Sequence, residues 1–252
     1  MKKEPLFVAL SNQKGGVGKS TFTVLLASYF HYQRGKNVLV VDCDYPQHSI
    51  KAMREWDVKN VEKNVRLQNL LVEQFGDSGR KAYNILPSTP EEAKETAYKF
   101  IDSSELDYDL VLIDLPGTVN TVGVFQSIIN MDYVFAPIMQ ERMVMQSSMN
   151  FVFAIREYLL HHHEAPLRGI YMFWNRMDKR VSKELYNAYM EIFRSLKLPA
   201  LDTTIPSAER YNKDAGSNGQ LFRCTLFPPS AALLKGSNLD SLAAEMEVIF
   251  GF

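Results

Sequence analysis

The chain has few cysteines and almost no net charge, and both features exclude classes of protein. Cys43 and Cys224 are the only cysteines among 252 residues, too few for a disulfide framework, a four-cysteine zinc site or an iron–sulfur cluster held by one chain. The 28 Lys and Arg residues nearly balance 29 Asp and Glu residues, so the overall charge attracts the protein to neither nucleic acid nor anionic lipid. We therefore expect a protein of the reducing cytoplasm that binds its partners through local patches.

Long hydrophobic runs, internal repeats and flexible linkers are also absent from the sequence. No apolar run approaches the roughly 18 residues that a membrane span requires. The first apolar stretch, Leu6–Leu10, is too short for the hydrophobic region of a cleavable secretion signal. No Pro/Gly/Ser-rich segment is long enough to separate two domains. We expect a single domain over residues 1–252, with no membrane partner.

Short β-rich runs alternate with stretches of helical period, a pattern typical of parallel strands joined by crossover helices. Strands are predicted at 6–10, 37–42, 84–86, 110–114, 133–138, 169–174 and 201–205, and helices at 19–32, 90–102, 121–130, 145–161, 182–196 and 238–250. Several strands are apolar on both faces, which is typical of strands covered by helices on both sides. The predicted fold class is α/β, with a doubly wound, mostly parallel sheet and helices on both faces.

The segment between the first predicted strand and helix is rich in glycine. Gly15, Gly16 and Gly18 allow the backbone N–H groups to turn inward, and the helix N-terminus adds partial positive charge, so phosphate oxygens can bind here. Lys19 can reach the β- and γ-phosphates, and the Ser20 hydroxyl can bind Mg²⁺. A glycine-rich turn without a ligand is the alternative, but the order of strand, loop and helix favours a phosphate site.

The loop departs from the ordinary G-x-x-x-x-G-K-S/T pattern, because Gln13 replaces its first glycine and Lys14 is an additional cation. The run 14–21 resembles the deviant Walker A loop of the ParA/MinD family of P-loop ATPases. The resemblance implies that ATP and Mg²⁺ are bound, with nucleotide contacts from Lys14, Gly15, Gly16, Val17, Gly18, Lys19, Ser20 and Thr21. It also implies an ATP-dependent homodimer, in which Lys14 reaches the nucleotide of the other subunit.

Two predicted strands end in carboxylates that should lie beside this loop. Asp42 and Asp44 follow the second strand, where they can hold Mg²⁺-bound water or orient the attacking water, although solvated turn acids or a helix cap are alternatives. Asp114 ends an apolar strand of the kind that delivers one carboxylate to the water shell of a metal. The runs 42–47 and 114–117 resemble the D-x-D-P-Q switch and the D-x-P-P/G element of the same family, with Tyr45 inserted in the switch.

By this resemblance, Asp44 positions the attacking water and Asp42 lies just outside the magnesium ligands. The catalytic residues are then Lys14, Lys19 and Asp44, and the residues around the metal are Ser20, Asp42 and Asp114. Phosphoryl transfer needs positioning and neutralisation of charge, so no separate His or Cys base is required. Cys43, between the two acids, is interpreted as a small buried residue.

The base of the nucleotide is expected near the ends of the last two strands. By resemblance, Asn175 recognises adenine and Pro206 flanks the base on its other side. The spacing of Asn175 and Asp178 is also similar to the N-K-x-D guanine motif of GTPases, with Arg176 in place of Lys. Many ParA relatives with ATP chemistry keep an acid near this place, so Asp178 does not by itself indicate GTP. ATP is therefore favoured over GTP.

Two functions remain open at this point. The first is a ParA-like ATPase that dimerises with ATP, hydrolyses it slowly and segregates or positions DNA or a large cargo, stimulated by a ParB-like partner. The second is a nucleotide-switched adaptor of a conjugation or mobile-element apparatus that acts through protein partners without DNA. The iron-protein branch of the fold is excluded, because Cys43 and Cys224 do not provide its cysteine pattern.

Nonspecific DNA binding depends on a modest basic segment. Residues 168–223 contain ten Lys and Arg against six Asp and Glu, and in ParA relatives basic residues of this half contact DNA. A solvated face of mixed charge is an equal alternative. The apolar stripe of the last predicted helix is accompanied by Asp240, Glu245 and Glu247, which anionic lipid would repel, so we interpret it as a packing helix.

Overall fold

The computed structural model describes residues 3–76, 80–117, 122–178, 183–208 and 223–252. The strands are β1 Leu6–Leu10, β2 Val38–Asp42, β3 Asn84–Pro87, β4 Leu110–Asp114, β5 Tyr133–Ile138, β6 Gly169–Met177 and β7 Ala200–Pro206. The helices are α1 Lys19–Ser28, α2 Ser49–Lys63, α3 Val65–Phe75, α4 Ala93–Ser103, α5 Val122–Ile129, α6 Arg142–His161, α7 Lys183–Ser195, α8 Ala231–Leu234 and α9 Leu239–Phe250, and a π-helical turn, Tyr29–Gln33, continues α1.

The strands form one seven-stranded sheet in the order β3-β2-β4-β1-β5-β6-β7, and each pairing between neighbours is parallel. This confirms the predicted doubly wound α/β class. After β1 the chain moves toward one edge of the sheet, and after β4 it moves toward the other edge. In open parallel sheets, the crevice at such a change of direction lies at the carboxyl ends of the strands and binds ligands. The segments that follow β1, β2 and β4 meet at this crevice.

Alternate residues of the central strands point into two separate hydrophobic cores. Phe7 and Ala9 of β1 lie in the core covered by α4, α5, α6 and α7. Val8 and Leu10 lie in the opposite core, which α1 and α9 cover. Burial on both faces explains why these strands read as continuous apolar runs. The sheet therefore holds the carboxyl ends of its strands in fixed positions.

The last helix, α9, packs on the sheet as the sequence predicted. Its apolar stripe lies in the second core and comprises Leu239, Leu242, Ala243, Met246 and Phe250. In the described part of the chain, none of the helices combines the length and apolar character needed to cross a bilayer.

Three of the described helices, α2, α3 and the short α8, were not predicted from the sequence. Helix α2 is mostly polar and buries only Ile50, Asp57 and Val61, so it has no apolar stripe of helical period. Helix α3 begins at once after it, because the Asn64 side chain accepts hydrogen bonds from the backbone N–H groups of Arg66 and Leu67. Other predicted boundaries differ by a few residues; for example, α6 begins three residues earlier than expected.

Candidate phosphate-binding site

The loop after β1 curls tightly before α1 begins at Lys19. Gly18 is the residue that precedes the helix, and its φ of 102° is accessible mainly to glycine. A Cβ atom on Gly18 would lie 2.8 Å from Nδ2 of Asn175. Both the backbone conformation and the packing therefore require glycine at this position.

The curled loop forms one wall of an open cleft of about 320 Å³ at the N-terminus of α1. The residues that line the cleft are Gly16, Gly18, Lys19, Ser20, Thr21, Arg176 and Arg223. Five of them were predicted from the sequence to bind nucleotide. The free N–H groups of a helix N-terminus, together with cationic side chains, make such a cleft suited to anions.

Lys19 lies at the centre of this arrangement and is only 8% exposed. Its Nζ donates to the backbone oxygen of Lys14 at 3.4 Å. Burial lowers the pKa of Lys19, and the negative charges of Asp114 and Asp44 oppose that effect. The loop after β4 lies close by, since a Cβ on Gly117 would stand 3.2 Å from the Lys19 ammonium. The predicted phosphate lysine is thus surrounded by both predicted acidic elements.

Asp114 is fully buried at the end of β4. Its Oδ1 accepts a hydrogen bond from the Thr23 hydroxyl at 3.3 Å, while Oδ2 has no hydrogen-bond partner among the described residues. Burial raises the pKa of Asp114 to about 7; Asp42 and Asp44 add to the increase, and Ser20 and Lys19 oppose it. A buried carboxylate with an unpartnered oxygen beside a serine hydroxyl fits a Mg²⁺ ion and its water shell.

Asp42 pairs in register with Asp114 on the neighbouring strand, but its carboxylate is engaged in a different way. Its Oδ2 accepts hydrogen bonds from the backbone N–H groups of Ile50 at 2.9 Å and Lys51 at 3.0 Å. Its Oδ1 accepts from the backbone N–H of Asp44 at 3.3 Å. Asp42 therefore caps the start of α2. A helix cap was one of the alternatives to a metal-related role that the sequence left open. Its proximity to magnesium stays a prediction.

Asp44 is half-buried and lies near enough to Lys19 to influence the pKa of that lysine. The Asp44 carboxylate has no hydrogen bond to a described residue, so it is available to a ligand or a water molecule. The inserted Tyr45 is 69% exposed, and its ring contacts His48 edge to face, with 5.7 Å between the ring centroids. The insertion is thus accommodated by a turn on the surface, outside the cleft.

Lys14 is exposed, and its backbone is fixed by Asn12. The Lys14 N–H donates to Oδ1 of Asn12 at 3.2 Å. Nδ2 of the buried Asn12 donates to the backbone oxygen of Pro137 and to the Ser148 hydroxyl, both at 2.8 Å. The end of β5 and helix α6 therefore hold the base of the loop while the Lys14 side chain faces outward. Its role across a dimer interface stays a prediction.

The two residues predicted to contact the base do not share one pocket among the described residues. Asn175 is 4% exposed; its Nδ2 donates to the backbone oxygen of Val17 at 2.8 Å, and its Oδ1 accepts from the Arg176 N–H. Pro206 borders a separate cavity of about 670 Å³, next to Met177. Asn175 therefore holds the phosphate loop in place, and base recognition by either residue stays a prediction.

Neither Cys43 nor the histidine run at 161–163 contributes a side chain to the lining of the cleft. Cys43 is fully buried, and burial raises the pKa of its thiol, which agrees with a packing role. Among the described residues, no three His, Cys, Asp or Glu side chains form a metal-binding group, so the histidine run at 161–163 does not form one. Part of the basic segment, including Lys179 and Arg180, falls outside the described residues.

Sequence reasoning missed one cationic residue of the cleft, Arg223. Its Nη1 donates to the Thr21 hydroxyl at 2.9 Å. No motif marks Arg223, because it reaches the loop from about 200 residues further along the chain. Arg176 had been noted only as part of a base-reading pattern.

The sequence profile described as the CobQ/CobB/MinD/ParA nucleotide binding domain matches residues 8–221. The chain belongs to this family. Among curated relatives of this MinD/ParA-family chain, the chromosome-partitioning ATPase Soj of Thermus thermophilus is 32% identical over 124 residues, which are 45% of this chain and 47% of Soj. The matched region thus spans about half the length of that relative.

Solved structures share the fold of this MinD/ParA-family chain over nearly its whole length. A putative plasmid partition protein of Borrelia burgdorferi, bound to AMPPNP, superposes with a TM-score of 0.62 at 21% identity, covering 97% of this chain and 100% of that one. A variant of McdA from Cyanothece, in complex with ATP, gives a TM-score of 0.63 at 17% identity, covering 98% and 97%. At these identities the similarity is one of fold.

Proposed function

We propose that this protein is a ParA-like ATPase that dimerises with ATP and Mg²⁺, hydrolyses ATP slowly and uses this cycle to segregate or position DNA or a large cargo. The observation that supports this most strongly is the phosphate cleft, where buried Lys19 lies beside Asp44 and Asp114. Membership of the nucleotide-binding family supports the same conclusion.

Each residue of the cleft has a separate proposed role in phosphoryl transfer. The N–H groups of the loop and the Lys19 ammonium bind the phosphates, and Lys19 neutralises charge on them. The Ser20 hydroxyl and the Asp114 carboxylate would hold the metal, directly or through water, and Mg²⁺ supplies further neutralisation of phosphate charge. Asp44, whose carboxylate is available, orients the attacking water. Lys14 faces outward and contacts the nucleotide of the second subunit.

A direct test of ATP chemistry is the substitution Lys19→Ala. We expect it to abolish ATP binding and turnover, because the β- and γ-phosphates lose their cation while the fold keeps its two cores. Lys99→Ala is a suitable control, since Lys99 lies on α4 and pairs with Glu95 at the surface. Hydrolysis by Lys19→Ala at the rate of the control would refute the phosphate-site assignment.

The second candidate function is the nucleotide-switched adaptor, and the exposed Tyr45 insertion favours it. That ring projects from the switch turn directly after Asp44, where a protein partner could detect a nucleotide-dependent change. A titration of duplex DNA binding against salt, with Mg-ATP present, separates the candidates. A steep, ATP-dependent loss of affinity with salt supports the DNA-positioning cycle, and no binding at low salt supports the adaptor.

A further inference from the structure

The cleft contains a cation that the loop does not supply. Arg223 borders the same space as Gly16, Gly18 and Lys19, and its guanidinium donates to Thr21 in the first turn of α1. With Lys19 and Arg176 it brings three cationic side chains to the cleft, and no acidic side chain is among the described residues that line it. This composition suits a ligand with several negative charges.

The chain immediately after Arg223 is held rigidly against the helices. The backbone N–H and the hydroxyl of Thr225 donate to Oδ2 of buried Asp57 at 2.8 Å and 2.7 Å. The backbone oxygen of Thr225 accepts from the Tyr32 hydroxyl and from Nη2 of Arg54. Because this anchor is only two residues away, the Arg223 backbone has little freedom to move away from the cleft.

The same anchor continues on both sides of Thr225. The backbone oxygen of Cys224 accepts from the Ser28 hydroxyl of α1 at 2.8 Å, and Leu226 packs with Val61 and Leu67 of α2 and α3. The segment 224–227 thus joins three helices in a small buried cluster. An ordered anchor of this kind reduces the backbone conformational entropy that the segment loses when Arg223 binds a ligand.

We propose that Arg223 is a nucleotide-binding residue that contacts a phosphate group of the bound nucleotide. A guanidinium group binds phosphate through parallel, charge-assisted hydrogen bonds, and Arg223 is placed at the cleft where the phosphates are expected. The residue lies beyond 8–221, the part of the chain that matches the family profile, so the profile assigns it no role. This role rests on the proposed function, because it requires that the cleft binds a nucleotide.

The test is calorimetric titration of Mg-AMPPNP and Mg-ADP into wild type, Arg223→Gln, Arg223→Met and Arg223→Lys. Loss of a charge-assisted hydrogen bond to phosphate is expected to weaken binding about tenfold or more in the Gln and Met variants. The Lys variant keeps the charge and is expected to bind with intermediate affinity. Arg66→Gln is the matched control, since Arg66 is exposed on α3, and its affinity should equal that of wild type.

A second readout separates phosphate contact from support of the loop. Affinity is measured from low to high KCl, and the Gln and Met variants are expected to lose affinity less steeply than wild type, because one charge pair is missing. A structural role would leave this slope unchanged. Thermal unfolding identifies which of the two neutral variants is folded, and that variant decides the result.

The outcomes of the two proposals are distinguishable. If wild type binds no nucleotide, the proposed function itself fails, and the role of Arg223 fails with it. If wild type binds and a folded neutral variant binds equally well, with the same salt dependence, the role of Arg223 alone is refuted. Loss of DNA binding by the neutral variants at unchanged nucleotide affinity would refute it as well.

Discussion

Gly18 is the residue on which the shape of the phosphate loop depends most directly. Its positive φ places the chain in a conformation that costs an L-residue about 1–2 kcal/mol. Its missing side chain also leaves room for Asn175, whose amide holds the backbone oxygen of Val17. Backbone and packing together therefore fix the loop before any ligand binds.

Gly18→Ala should destabilise the fold by about 1–3 kcal/mol, because it strains the backbone and displaces Asn175. Gly15→Ala is the matched control, since a Cβ there meets nothing within 4 Å and its φ is not positive. Denaturant unfolding of both variants checks the contrast. Equal stabilities would mean that the loop does not have the described conformation.

Asp57 is the residue through which pH should affect the anchor of the C-terminal segment. The carboxyl group is buried, one oxygen has no partner among the described residues, and burial raises its pKa although Thr225 and Arg54 oppose the increase. In the unfolded chain, the pKa of an aspartate is about 3.9. The folded state therefore holds the proton more tightly than the unfolded state does.

A raised pKa in the folded state stabilises the protein at low pH, and this stabilisation is lost as the pH rises through the folded value. The Asp57→Asn variant has no titratable group at this position. The difference in melting temperature between wild type and variant therefore removes the contributions of the other titratable groups. The melting temperature of wild type minus that of Asp57→Asn should fall as the pH rises above the unfolded pKa of about 3.9. A difference that rises with pH would show that Thr225 and Arg54 stabilise the charged form, and a constant difference would show that folding does not shift the pKa of Asp57.

At the scale of elements, the turn between β2 and α2 links the carboxylates of the site to a helix. Asp42 accepts the N–H groups of Ile50 and Lys51 at the start of α2, while Asp44, two residues further, makes no such bond. The two acids thus have separate tasks. The first orders the helix, and the second is available for chemistry.

Asp42→Ala should lower the free energy of unfolding by about 1–3 kcal/mol, because the buried N–H of Ile50 and the partly buried N–H of Lys51 lose their acceptor. Asp44→Ala should leave stability nearly unchanged and reduce ATP turnover, because the attacking water is no longer oriented. Unfolding curves and single-turnover hydrolysis measure the two effects separately. The division of tasks is wrong if Asp44→Ala is the more destabilised of the two variants.

Elements with strong hydrophobic patterns were predictable from the sequence, and elements held by polar contacts were not. The strand at Leu110–Asp114 and the glycine loop were recognised because apolar runs and glycine spacing are local signals. Helix α2 was missed because it packs through few apolar residues and is ordered instead by Asp42 and Asp57. Arg223 was missed because its partner, Thr21, is distant in sequence.

For the whole molecule, the order of the strands explains how distant segments form one site. Strands β1, β2 and β4 are neighbours in the sheet, so the glycine loop, the switch acids and Asp114 meet at their carboxyl ends. The C-terminal segment adds Arg223 to the lining of the same cleft. Lys14 is exposed beside this site, as its proposed contact with the nucleotide of a second subunit requires.

Multi-angle light scattering with Mg-ATP or Mg-ADP shows whether the protein forms the proposed ATP-dependent dimer. Asp44→Ala, which should retain unhydrolysed ATP, is predicted to be a dimer with ATP and a monomer with ADP. The double variant Lys14→Ala, Asp44→Ala is predicted to bind ATP and stay monomeric. A dimer that persists without Lys14, or a monomer in every nucleotide, would contradict the role of Lys14 and the proposed dimer cycle.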